Sequence, residues 1–116
     1  MFEYDESSEL WIADLDNVII TCDELRDGYE EQALKIAENY ASRLDEITDF
    51  LIKNGISDAF GEMTADELKD SLGVPQINIG NRTVSYTDHA LDDSHIISFE
   101  YADSDLGSFM YLSIDG

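Results

Sequence analysis

The chain has 116 residues and a mass of 13.1 kDa, the size of one ordinary domain. It carries 27 Asp and Glu against 6 Lys and Arg, a formal net charge of −21 at pH 7. Such a field repels the phosphate backbone, which excludes direct nucleic-acid binding and leaves cations or a basic macromolecule as partners.

Two short apolar runs, Leu10 to Ala13 and Asn17 to Cys22, flank the turn-forming Asp14-Leu15-Asp16-Asn17 and predict a strand hairpin. Residues 2–5 extend the first strand or fray. From Asp27 to Ile52 the period changes to 3.6. Tyr29, Ala33, Ile36, Ala37, Tyr40, Leu44, Ile47 and Leu51 form one apolar stripe. Asp27, Glu30 and Glu31 suit the positive end of the helix dipole, and Gly55 suits a left-handed stop. Such a helix is roughly 38 Å long, enough to cross a sheet. Asn54 to Met63 reads as a loop with Ile56, Phe60 and Met63 as packing anchors. Thr64-Ala65-Asp66-Glu67 is a capping box for a second helix, which Gly73 and Pro75 end.

The last third is strand-like. Gln76 to Ile79 and Arg82 to Thr87 alternate around Gly80-Asn81, a hairpin turn signal. Ile77, Ile79, Val84 and Tyr86 face one way in this reading, with Gln76, Asn78, Thr83, Ser85 and Thr87 facing the other. A polar connection from Asp88 to Ser94 leads to a strand from His95 to Ala102. Residues 103–107 turn the chain into a final strand from Ser108 to Ile114. The expectation is a single α+β domain over residues 1–116, of order ββ-α-α-ββββ. A mostly antiparallel sheet of five to six strands packs on one long helix plus a short second helix, in two layers, with the other sheet face polar.

At 43% apolar and 10% aromatic, the chain is too hydrophobic for disorder. Size scaling leaves about 6,400 Å² of folded surface out of about 19,000 Å² unfolded, so a core forms without disulfides or a metal. The single cysteine, Cys22, excludes an internal disulfide and a Cys-rich zinc site, and at the end of an apolar strand it reads as a buried, inert thiol. No stretch approaches the ~20 apolar residues of a membrane span. The opening Met-Phe-Glu-Tyr-Asp-Glu lacks the basic and apolar segments of a secretory signal, so a cytoplasmic location is expected.

Catalytic patterns are sparse. His89 and His95, with Asp88, Asp92 and Asp93, form an acidic loop that matches no structural zinc spacing and reads as a solvated turn. Asp14-x-Asp16 starts an EF-hand pattern, but Val18 and Ile19 occupy the next ligand and the turn-glycine positions. No serine stands in a G-x-S-x-G or S-x-x-K context, and no glycine loop cradles a phosphate. Neither a metal nor a cofactor is expected. The aromatic residues, Tyr111 among them, fall mostly on predicted core faces, leaving one or two tyrosines near strand ends as interface anchors.

Pro75-Gln76-Ile77-Asn78-Ile79, His95-Ile96-Ile97, Leu106-Gly107 and Ile114-Asp115-Gly116 resemble a group of small bacterial domains of unknown function. Such domains occur among the immunity proteins of bacterial toxin systems, where an acidic protein neutralises a basic toxin. The resemblance spans residues 10–116 through low-information positions, none of them catalytic. It implies a non-enzymatic protein that occludes the active site of a basic toxin domain, a nuclease above all. Alternatives are a DNA-mimic inhibitor of the anti-restriction or anti-CRISPR type, or a small metal-dependent enzyme using the Asp88–His95 loop. The expected contact residues are Asp88, Asp92, Asp93, Glu100, Asp103 and Asp105, which combine turn exposure with an outward strand position. Glu31, Glu38, Asp45 and Asp49, on the polar side of the long helix, form the rival face.

Overall fold

An apolar stripe 25 residues long must be buried along its whole length, and a sheet is the surface that does it. In the computed structural model, which describes residues 1–103 and 106–116, the long helix α1 runs from Tyr29 to Lys53. Before it come three strands, β1 (Glu3–Asp5), β2 (Leu10–Asp14) and β3 (Ile19–Cys22). Two short helices follow, α2 (Ile56–Phe60) and α3 (Ala65–Leu72), then β4 (Gln76–Asn78), β5 (Thr83–Tyr86), β6 (Ile96–Tyr101) and β7 (Phe109–Asp115).

Among the described residues the sheet has seven strands in sequential order, more than the five or six expected, and the element order is βββ-ααα-ββββ. All neighbours are antiparallel except β3 and β4, the pair that the helices connect. Residues 3–5 form a separate edge strand on β2 rather than an extension of it. Asn54 to Met63 is not all loop. Gly55, left-handed at φ 103°, and Gly61 bracket the single helical turn α2, whose Ile56 is fully buried. α1 begins after Gly28, left-handed at φ 86°, so Asp27 lies outside it. The capping box forms as read: Glu67 N–H donates to Thr64 Oγ1 and the Thr64 N–H donates to the Glu67 side chain, both at 3.1 Å.

The helices cover one face of the sheet. A cross-strand row on that face, Ala13, Ile20, Ile77, Val84 and Phe99, is buried throughout. Ile36, Ile47 and Leu51 of α1 join the same core. Tyr40 and Tyr86 share a buried hydrogen bond of 2.6 Å, and Phe50 packs on Phe99 and Phe109. Arg43 fixes α1 to the turn after β6 by donating from Nε to the Leu106 carbonyl at 3.0 Å and from Nη2 to the Gly107 carbonyl at 2.9 Å. The accessible surface, 6698 Å², agrees with the size expectation.

Candidate functional site: an acidic sheet without cations

The open face of the sheet is read from its register, because directly paired residues share a face. One row runs Glu3, Ile12, Thr21, Asn78, Thr83, Glu100 and Met110 across all seven strands. The next row is Asp14, Ile19, Gln76, Ser85, Ser98 and Ser113. Small polar side chains fill the middle, and carboxylates stand toward both edges. Among the described residues no strand contains a Lys or Arg. Of the six cations, four lie on α1 and α3, while Arg26 and Arg82 lie in connections. Several of these pair with carboxylates: Arg26 with Glu24, Arg43 with Glu46, Lys53 with Asp49, and Lys69 with Asp45. The rival helix face is therefore partly neutralised from within.

The expected contact residues divide into two groups. Asp88, Asp92 and Asp93 precede β6, whereas Glu100 and Asp103 lie at its far end, roughly 20 Å away along a strand rising about 3.3 Å per residue. Asp105 falls outside the described residues. Asp88 and Asp93 are exposed, and Glu100 stands on the open face. Asp103 is exposed in a left-handed turn at φ 57°, and a Cβ at Gly107 would collide with its carboxylate.

Asp92 has a structural task. Its Oδ1 accepts the backbone N–H groups of Ser94 at 3.1 Å and His95 at 3.0 Å, while Oδ2 meets His95 Nδ1 at 2.5 Å. Burial pushes its carboxyl upward, but the His95 and Ser94 hydrogen bonds outweigh that and hold it below the usual 3.8.

The His/Asp loop is exposed at Asp88, Ala90, Asp93 and Ser94, but His89 is buried in it. His89 is 6% exposed, accepts the Leu91 N–H on Nδ1 at 3.1 Å, and thereby donates from Nε2 to the His95 carbonyl at 2.6 Å. The Phe60 ring lies edge-on to both imidazoles. Both His89 nitrogens are thus committed to the backbone. Among the described residues no group of three or more His, Cys, Asp or Glu converges as a metal site. Cys22 is fully buried, and that burial raises its thiol pKa.

A cleft of about 370 Å³ opens at the carboxyl ends of the parallel pair β3 and β4, the usual ligand crevice of open α/β sheets. Asp23, Glu24, Arg26, Tyr29, Asn78 and Asn81 line it, and Arg26 is bonded to Glu24 at 3.2 Å. It presents neither a nucleophile next to a base nor an uncommitted cation.

Sequence reasoning missed the exposure of Tyr111, which is 72% accessible rather than on a core face. Phe109, Leu112 and Ile114 pack against the core instead, a spacing of three and then two. That broken alternation is the signal, because a strand without a bulge repeats every two residues.

The fold and surface define the class: an α+β protein with a one-sided, cation-free sheet. Comparison with known families, curated proteins and solved structures gives no match.

Proposed function

We propose that this chain is a non-enzymatic binding protein that neutralises a basic toxin domain, of nuclease type, in the cytoplasm of the producing bacterium. The observation that carries the reading is where the charge lies. A net charge of −21 is far beyond the 2–8 that suffices for solubility in a small domain, and it adds self-repulsion to the folded state. The strands bear carboxylates and no cation, so one broad face stays negative while the helical layer pairs part of its own charge. A surface of that kind steers a cationic partner and fills its phosphate sites with carboxylates. The resemblance to immunity proteins supplies the partner class.

The test is capture of the basic partner from producing cells, followed by titration of its purified activity. The expected result is loss of nuclease activity at one equivalent of this protein. A captured partner whose activity persists at excess, or no basic partner at 0.15 M salt, overturns the reading.

A further inference from the structure

β7 is the longest strand of the sheet and forms one of its two edges. Its ladder with β6 gains one residue: Ser98 lies opposite Ser113, but Glu100 lies opposite Met110. Within that bulge Tyr111 takes φ 59°. Among the described residues it is the one non-glycine residue inside a strand with left-handed backbone, a bulge position that glycine ordinarily fills. It is also the most exposed of the large apolar side chains there, at 72%. An aromatic ring is thus held in water, on an edge, against its backbone preference. Local rules of this kind are commonly broken where function is served.

The surroundings indicate what the ring receives. Met110, its chain neighbour, faces Glu100, and Asp115 lies further along the same strand. Among the described residues no strand carries a Lys or Arg, and the cation at this end of the sheet is Arg82, one residue before the Thr83 that pairs with Glu100, with its carbonyl accepting the Tyr101 N–H at 3.1 Å. A ring face beside a carboxylate suits a guanidinium, which stacks on the ring and pairs with the oxygens. The molecule already uses that pairing internally. Arg43 lies 5.0 Å from the centroid of Phe109 while bonded to Glu46 at 2.5 Å.

We propose that Tyr111, with Glu100 opposite its chain neighbour Met110, is the anchor that receives an arginine side chain of the basic partner protein. This rests on the binding function proposed above and adds the place of contact and the residue recognised. A second copy of this chain is a poor occupant, because each copy brings a charge of −21 and no strand cation.

The probe is a synthetic peptide of nine arginines, compared with its uncharged citrulline counterpart. Binding is measured by calorimetry at 0.15 M salt, and amide shifts are mapped on the isotope-labelled full chain. The arginine peptide is expected to move the amides of Glu100, Met110 and Tyr111 first, and the citrulline peptide to move none. Tyr111→Ala should weaken binding at least tenfold and Tyr111→Phe less than threefold. Tyr111→Gly should weaken it as Ala does while raising Tm by several degrees, which separates lost contact from lost fold. Shifts centred on α1, or unchanged binding by Tyr111→Ala, overturn the anchor and leave the binding function standing. Absence of any arginine-peptide binding overturns both. Self-association of the wild type that Tyr111→Ala abolishes would make the edge a contact between copies and overturn the anchor, as would a lower Tm for Tyr111→Gly.

Discussion

Two tyrosine hydroxyls meet at the centre of the core, where a lone one would be a liability. Tyr86 is fully buried and Tyr40 is 6% exposed, and their oxygens lie 2.6 Å apart. Burial pushes Tyr40 up to about 12 and Tyr86 well above its ordinary 10, so both stay neutral and one donates to the other. Tyr86→Phe strands the Tyr40 hydroxyl and should cost about 1–3 kcal/mol, whereas the double change to Phe removes both partners and should be close to neutral. Denaturant melts of the two variants check this through the shift in midpoint. The Asp92 carboxyl makes a second prediction at this scale. Its folded pKa lies below the usual 3.8, so its contribution is present above that value and is lost as pH falls through the lower, folded value. Asp92→Asn should lower Tm at neutral pH, and the difference from wild type should vanish in acid below that window. A constant difference across the acid range would show that the carboxylate charge plays no part in holding the turn.

At the scale of elements, α3 is eight residues long and too short to stand alone, so its cap and its two buried leucines decide whether it forms. Thr64→Ala removes the acceptor for the Glu67 N–H and should cost about 1 kcal/mol, read as a lower Tm with the melt still cooperative. That helix was legible because a capping box states its own start, and α1 was legible because seven turns of stripe outweigh local noise. The β4–β5 hairpin was legible through strict alternation around Gly80-Asn81. β1 and α2 were not, since three and five residues are too few to show a period. The candidate site was legible only as charge. Asp88 and Asp93 are exposed as expected, but Asp92 is spent on its own turn, a role that needs the positions of the Ser94 and His95 N–H groups to be seen. The loop and hairpin carboxylates stand at opposite ends of β6, a separation that only the strand's place in the sheet reveals.

For the whole molecule, the same charge acts on two equilibria with opposite signs. Within one chain, 27 carboxylates against 6 cations repel one another, so the folded state is less stable than its core alone would make it. Toward a cationic partner, the same field accelerates encounter and raises affinity. Salt screens both, with a Debye length of about 8 Å at 0.15 M and about 3 Å at 1 M. Raising sodium chloride from 0.05 to 0.5 M is therefore expected to raise Tm and to slow association with the basic partner. The dissociation rate should change far less, because close contacts at the interface are screened much less than long-range steering. A salt series of thermal melts alongside stopped-flow association separates the two effects. A Tm that falls with salt would mean that the ion pairs of α1 and α3 outweigh the global repulsion. An association rate indifferent to salt would mean that the acidity serves something other than a partner.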